Sequence, residues 1–282
     1  MKIAAGIVLY NPEIARLDKN IESIKTQVNE IILFNNGSKN TKQILKYLKN
    51  KNVNYILVNS DSNLGIAHAL NRLCKEAMKK NYKWLLTLDQ DTVVSPNLVH
   101  KYSQYVNLPN VGQLSCTYKD RNSSELKYKI DTDVKEVKEC ITSGTLLSLG
   151  ALEKVGGFDE NMFIDYVDFD LCYALRKINY KTYQISYIGM LHEIGHITPV
   201  NFFGKRIDIF NQTTFRHYYR CRNYFLFSKR YNLCKVHTMI YMQFKEWVKV
   251  LLYENNKFAK TKAMFKGMYD GLRISTDRKN YF

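Results

Sequence analysis

The sequence predicts an α/β fold in which a mainly parallel sheet is flanked by helices and followed by a helical C-terminal extension. Three observations predict it. Strand-like and helix-like segments alternate through the first ~90 residues. Each strand-like run ends in polar or turn-forming residues. From about Phe215 onward the apolar residues recur at helical spacing.

The run Ile3-Ala4-Ala5-Gly6-Ile7-Val8-Leu9-Tyr10 follows Lys2 and imitates a secretory leader. It is short, and Asn11-Pro12-Glu13 follows without a small-residue cleavage site, so a first buried strand is the better reading. Ile14, Leu17, Ile21, Ile24 and Val28 then form a helix stripe. Ile31-Ile32-Leu33-Phe34 is a second strand within Glu30–Asn35. Ile44, Leu45 and Leu48 mark a short helix, and Val53–Val58 a third strand. Ile66, Ala69, Leu70, Leu73, Cys74, Ala77 and Met78 form an amphipathic helix, and Trp84–Leu88 is the fourth strand. Such repetition implies right-handed crossovers and a ligand crevice at the strand ends. Past Asp91 the pattern is mixed. Pro96 is placed to open a helix, Val111–Thr117 and Cys140–Leu149 read as strands, and Lys119–Lys138 reads as a polar excursion. Ile240, Phe244, Trp247, Val248, Leu251 and Leu252 follow helical spacing.

The chain of 282 residues suits one large domain, or one domain with an appendage. No Gly/Ser linker or internal repeat divides it, and the expected organisation is residues 1–214 followed by a basic, mainly helical extension over 215–282. The six cysteines are scattered without a Cys-x-x-Cys, which argues against a disulfide framework or zinc ribbon and fits a reducing, cytoplasmic setting. No stretch approaches the ~20 apolar residues that span a bilayer. Net charge is +16, and residues 201–282 hold 17 Lys and Arg against 5 Asp and Glu. A basic tail on a nearly balanced body points to an anionic partner: nucleic acid, a phospholipid face or a diphosphate-bearing substrate.

The chemistry gathers at the strand ends. Tyr10-Asn11 ends the first strand, Asn35-Asn36-Gly37-Ser38 the second, Ser60-Asp61-Ser62-Asn63-Leu64-Gly65 the third and Asp89-Gln90-Asp91 the fourth. Tyr10 could pack on a base, and Asn35 could hydrogen-bond a base edge. Paired carboxylates can hold a hard divalent cation that neutralises a diphosphate. Each group alone is more often a turn residue, but four such ends on one sheet edge converge.

This set resembles family 2 glycosyltransferases with the nucleotide-diphospho-sugar-binding GT-A fold, along nearly all of residues 3–195. Val8-Leu9-Tyr10-Asn11 is similar to the opening nucleotide-contact motif. Asn36-Gly37-Ser38 matches an Asp-Asn-Gly-Ser turn whose leading Asp is Asn35 here. Asn63-x-Gly65-x-Ala67-x-Ala69-x-Asn71 matches the following helix, with Leu70 and Leu73 where the family has Arg and Gly. Leu86-Thr87-Leu88-Asp89-Gln90-Asp91 is close to the form in bacterial L-rhamnosyltransferases, and Thr142-Ser143-Gly144-Thr145-Leu146 resembles a donor-sugar loop of that branch. The resemblance implies a GT-A mixed, mainly parallel sheet. It implies that Asp89 faces the nucleotide and metal, with Gln90, Ser143 and Gly144 among the donor contacts, and that Asp91 binds Mg²⁺ or Mn²⁺.

A sugar transferase also needs a carboxylate apart from the metal pair, to take the acceptor hydroxyl proton. The acidic segment Gly156-Gly157-Phe158-Asp159-Glu160 through Asp170 supplies candidates. By family position Asp168 is that base, and its neighbours Asp165 and Asp170 could orient it or contact the acceptor. The bland alternative is an acidic helix start. His192-Glu193-Ile194-Gly195-His196 spells the H-E-x-x-H zinc-protease motif, but that motif needs a helix. The strand-like Tyr183–Ile188, Gly189, Gly195 and Pro199 argue against one. The glycosyltransferase pattern instead makes His192 a third metal ligand.

Arg216-His217-Tyr218-Tyr219-Arg220-Cys221-Arg222-Asn223-Tyr224 interleaves bases and aromatics, a pattern that can stack on nucleobases and grip phosphates. It also resembles a segment that follows the catalytic domain of rhamnosyltransferase-like proteins. The implied function is inverting, metal-dependent transfer of L-rhamnose from dTDP-rhamnose to a glycan or lipid-diphosphate-linked acceptor. The setting is bacterial surface polysaccharide synthesis on the inner face of the membrane, with a homodimer possible. Rival readings are another donor (galactofuranosyl, glucosyl or galactosyl), a non-catalytic nucleotide-sugar-binding subunit, and a nucleic-acid-binding protein. The last leaves acidic clusters on the crevice unexplained.

Overall fold

Strand β1 (Ile3–Leu9) is buried along its whole length, between parallel neighbours on both sides. The computed structural model describes all residues except Met1, Asn52, Ser123, Ser124, Ile194, His196 and Phe203. In chain order β1 is followed by α1 (Ile14–Ile24), β2 (Glu30–Asn36), α2 (Thr41–Lys49), β3 (Tyr55–Ser60), α3 (Ile66–Lys79) and β4 (Trp84–Asp89). Then come β5 (Val93–Val94), α4 (Leu98–Ser103), β6 (Val111–Asp120), β7 (Leu126–Lys127), β8 (Val134–Val137), β9 (Thr145–Ser148) and α5 (Leu149–Lys154). The rest is α6 (Val167–Lys177), β10 (Lys181–His192), β11 (Thr198–Phe202), β12 (Lys205–Ile209), α7 (Thr214–Arg230), α8 (Val236–Tyr253) and α9 (Lys257–Arg273).

The main sheet runs β3-β2-β1-β4-β9-β6-β10-β5, with β7 beside β6 and β8 beside β10. β1 to β4 are mutually parallel, as their alternation with helices predicts. β9 lies antiparallel between β4 and β6, which makes the sheet mixed. Leu17, Ile21 and Ile24 of α1, and Ala67, Leu70, Leu73, Cys74 and Ala77 of α3, are buried. Burial of each large apolar side chain contributes roughly 1.5–3 kcal/mol.

Several local expectations shift. α1 stops at Ile24, before Val28. α4 begins at Leu98, after Asn97 adopts a left-handed conformation, so Pro96 lies outside it. Of Cys140–Leu149 only Thr145–Ser148 is strand, because Thr142-Ser143-Gly144 turns the chain with Gly144 at φ +74°. The polar stretch 119–138 contains the end of β6 and the short β7 and β8. β10 is a strand to His192, so the first histidine of the H-E-x-x-H run is not helical. Ile194 and His196 of that run lie outside the described residues.

Contacts divide the chain into two units. The first comprises residues 1–161, 168–193 and 279–282; the second comprises 162–167 and 194–278. The second unit holds the β11–β12 hairpin and α7 to α9, with Cys221, Phe225 and Met239 at its core. Among the described residues no helix is long and apolar enough to cross a membrane.

Candidate active site

The strand register brings the polar ends of β1 to β4 to one edge. Leu9 pairs with Asn35, Val8 with Asp89 and Asn36 with Ser60. Asparagines brace this edge. Asn35 is 1% exposed; its amide donates to Thr41 Oγ1 at 2.9 Å and Asn59 Oδ1 at 3.0 Å, and its oxygen accepts the Ser38 N–H at 3.2 Å. That oxygen has capacity for one further hydrogen bond. Asn36 donates to Asn63 Oδ1 at 3.1 Å and the Gly65 carbonyl at 3.3 Å, and accepts the Leu64 N–H at 2.8 Å. Asn63 in turn accepts the Gly65 N–H at 2.9 Å. Gly37 sits where these loops meet. Its φ is +73°, and a Cβ there would lie 2.4 Å from the Ser62 carbonyl carbon, so no side chain fits. Gln90 ties β4 to β1, accepting the Tyr10 N–H at 2.8 Å and donating to the Tyr10 carbonyl at 3.3 Å. The Tyr10 residue is 45% exposed, so its ring is open to a planar ligand.

Beyond β4 the Asp89 carboxylate approaches His192. The His192 Nε2 lies 3.9 Å from Asp89 Oδ2, and its Nδ1 lies 3.1 Å from Thr92 Oγ1. Thr92 Oγ1 is 2.8 Å from Ser143 Oγ, which accepts the Asp89 N–H at 3.0 Å. The antiparallel pairing of Thr87 with Thr145 carries the Thr142-Ser143-Gly144 turn to the end of β4. The Gly144 N–H donates to the Thr87 carbonyl at 2.8 Å. A Cβ on Gly144 would meet Met190 Sδ at 2.4 Å. Two arginines that the sequence reading passed over also reach Asp91. Arg16 Nη1 is 2.6 Å from Glu193 Oε2 and 3.8 Å from Asp91 Oδ2, and Arg121 Nη2 donates to the Asp91 carbonyl at 2.9 Å. Arg16 Nε lies 3.0 Å from Glu13.

The donor set bears on a cation. Asp89, Asp91 and His192 offer hard oxygens and one imidazole, chemistry that suits Mg²⁺ or Mn²⁺. Thr92 orients the ring through Nδ1, as outer partners of ligating histidines do. Arg16 faces the carboxylates of Glu13, Asp91 and Glu193, His192 faces that of Asp89, and Arg121 reaches the Asp91 carbonyl. Among the described residues no three His, Cys, Asp or Glu side chains close around a common point. The residues present would therefore supply only part of a hard cation's shell.

The second acidic segment is built from α3 and the chain end. Asn71 donates to the Phe158 carbonyl and to Glu160 Oε1, both at 2.9 Å, and accepts the Phe158 N–H at 2.8 Å. Tyr281 donates its hydroxyl to Asp159 Oδ1 at 3.0 Å, a tail contact with no sequence signal. Asp168, in the first turn of α6, accepts the Phe169 N–H at 3.0 Å. It lines a small cavity with Thr87, Thr142 and Thr145, the residues that carry the Ser143 turn. Tyr118 packs edge-on to His192, with ring centroids 5.5 Å apart. Burial chiefly raises the pKa of Tyr118, and the charges of Asp120 and Asp168 add to it. Tyr128 is pushed up to about 12, first by burial and then by Asp168.

Asp165 belongs to the other unit. It takes Arg216 on both oxygens, at 2.8 and 3.3 Å, while Asn223 donates to the carbonyls of Met162, Ile164 and Asp165 at 2.7–2.9 Å. Tyr219 stacks on Phe163, and Arg222 lies over Tyr219. The Arg/Tyr-rich segment therefore spends much of its chemistry on the 162–166 loop, where Phe163, Asp165 and Tyr166 are held at positive φ.

A sequence model described as glycosyl transferase family 2 matches residues 5–157. The chain is 30% identical over 306 residues, covering 99% of it and 98% of the relative, to the dTDP-rhamnosyl transferase RfbF of Shigella flexneri. It is 28% identical over 180 residues to the poly-beta-1,6-N-acetyl-D-glucosamine synthase of Staphylococcus aureus strain COL, covering 60% of this chain and 43% of that one. Among solved structures, residues 1–349 of S. aureus TarS with UDP-GlcNAc match at TM-score 0.58 and 14% identity, over 98% of this chain and 74% of the other. GalNAc-T7 with UDP, GalNAc and Mn²⁺ matches at TM-score 0.56 and 14% identity, over 68% and 44%. These structural likenesses establish the GT-A fold.

Proposed function

The chain belongs to glycosyl transferase family 2, and on that premise we propose that it transfers L-rhamnose from dTDP-L-rhamnose to a glycan or lipid-diphosphate-linked acceptor of a bacterial surface polysaccharide. The full-length likeness to RfbF supports the choice of donor. Tyr10 and the remaining Asn35 lone pair take the base. Asn36, Asn63, Gly65 and Asn71 position loops, since their hydrogen bonds are internal. Gln90, Ser143 and Gly144 shape the donor pocket beside Asp89. Asp91 and His192 would hold Mg²⁺ or Mn²⁺ together with the donor diphosphate. When bound, that ion offsets negative charge on the departing nucleoside diphosphate. Asp168 takes the proton of the acceptor hydroxyl as that oxygen attacks the anomeric carbon, and the configuration inverts. The observation that carries this reading is the hydrogen-bonded run His192–Thr92–Ser143–Asp89, which joins three loops around the carboxylate pair.

A thermal-shift panel of nucleotide sugars with and without Mn²⁺ tests it, because a ligand selective for the folded state raises Tm. dTDP and dTDP-L-rhamnose are expected to raise Tm only with the metal. A response confined to UDP-sugars overturns the donor; no response to any nucleotide sinks the function.

The helical unit supports a peripheral membrane location. Phe258 (86% exposed), Tyr241, Phe244 and Phe265 stand exposed on α8 and α9, among Lys245, Lys257 and Lys262. Apolar rings among lysines suit an anionic lipid surface. Changing those three lysines to Glu is expected to abolish co-sedimentation with phosphatidylglycerol vesicles at low salt. Undiminished pelleting would remove the membrane assignment.

A further inference from the structure

Asp91 is flanked by two guanidinium groups whose hydrogen-bonding capacity is only partly spent. Arg16 stands in the first turn of α1 and is 39% exposed at its side chain. Its Nη1 engages Glu193 at 2.6 Å and approaches Asp91 at 3.8 Å, and its Nε faces Glu13 at 3.0 Å. Its Nη2, with two N–H donors, has no hydrogen-bond or ion-pair partner among the described residues. Arg121 is held at both ends: its backbone N–H donates to the His192 carbonyl at 2.8 Å, and its Nη2 donates to the Asp91 carbonyl at 2.9 Å. Its Nε is buried without a hydrogen-bond partner among the described residues. Buried N–H groups are seldom left unpaired, and guanidinium groups match phosphate oxygens with paired N–H donors.

We propose that Arg16 and Arg121 form a clamp for the diphosphate of the sugar donor, a role that rests on reading this sheet edge as the donor site. The four surrounding carboxylates would repel a diphosphate. The two arginines supply fixed positive charge there, and their rigid planar forks set the orientation of the phosphates. Glu193 and the Asp91 carbonyl hold the forks in place, so little side-chain freedom is lost when the ligand arrives.

The test uses the full chain in Mn²⁺, with dTDP titrated calorimetrically and thymidine, which lacks both phosphates, followed by ligand-observed NMR. Arg16→Gln and Arg121→Gln are each expected to weaken dTDP by about 10- to 100-fold, the range of a lost charge-assisted hydrogen bond, and thymidine by less than about threefold. The dTDP affinity should also depend less steeply on salt. Arg16→Lys, which keeps the charge and most of the stem, should recover part of the loss and remains informative where the Gln variant folds poorly. Equal losses for dTDP and thymidine would reduce the arginines to structural ties. Unchanged or tighter dTDP binding overturns the clamp, the latter by making Arg16 a competitor of the cation at Asp91. A wild-type protein that binds neither dTDP nor UDP refutes the donor-site reading itself, a result distinct from any failure of the clamp.

Discussion

Asp168→Asn is expected to lower sugar transfer by about 10²–10⁴-fold while dTDP affinity stays within about threefold of wild type. The substitution is nearly isosteric. The amide oxygen can still accept the Phe169 N–H, so the first turn of α6 keeps its local hydrogen bond. What disappears is the capacity to accept a proton. The cavity that Asp168 lines with Thr87, Thr142 and Thr145 adjoins the turn whose Ser143 binds the Asp89 N–H. Asp168 and Asp89 thus both adjoin the 142–145 turn, although 79 residues separate them along the chain. Single-turnover transfer, measured beside dTDP titration, separates the two quantities. Wild-type turnover in the variant excludes Asp168 as the base, and a parallel loss of dTDP binding makes it a positioning residue.

Glu254→Ala is expected to destabilise the helical unit by about 3–5 kcal/mol, the usual cost of stranding a buried charge. Glu254 Oε2 lies 2.9 Å from His217 Nε2 and 2.7 Å from Lys260 Nζ, with side-chain exposures of 5%, 10% and 8% in that order. Removal of the carboxylate leaves the ammonium without its counter-charge. Acid should weaken the same cluster. Burial, the largest influence, pulls His217 below its ordinary 6.5 despite the opposing pull of Glu254. A depressed histidine is neutral in the fold but charges in the unfolded chain, so its contribution is full above pH 6.5 and declines below it. For Glu254, burial acts to raise the pKa, but hydrogen bonds from Lys260 and His217 reverse this and leave it below 4.5. Its contribution is present above pH 4.5 and is lost as pH falls through the folded-state value. Chemical denaturation of the wild type should show stability falling in both windows, and Glu254→Ala should remove the lower one. PH-independent stability between 7 and 4 would contradict the assignment.

Much of the first half was legible because its signals are local. The alternation of periods along residues 3–89 fixes β1 to β4 with their helices, and parallel register then forces Tyr10, Asn35, Ser60 and Asp89 to one edge. Beyond Asp91 the pattern fails for a physical reason: two-residue strands such as β5 and β7 are too short to express a period. Asn35 and the Arg216–Tyr224 segment show the other limit. Their side-chain types suit a base or a phosphate, yet Asn35 is mostly satisfied by Thr41, Asn59 and Ser38, while Arg216 and Asn223 fasten the 162–166 loop.

By itself the sequence determined the α/β class, the family and the carboxylate pair at the tip of β4, because hydrophobic period and turn chemistry act between near neighbours along the chain. Only the tertiary structure decided what those groups touch. Arg16 reads as one more charge on an amphipathic helix until Glu193, 177 residues away, holds it beside Asp91. Hydrogen bonds and ion pairs reach only a few ångströms in space and are blind to separation along the chain, so partner choice is settled by folding and not by the local pattern.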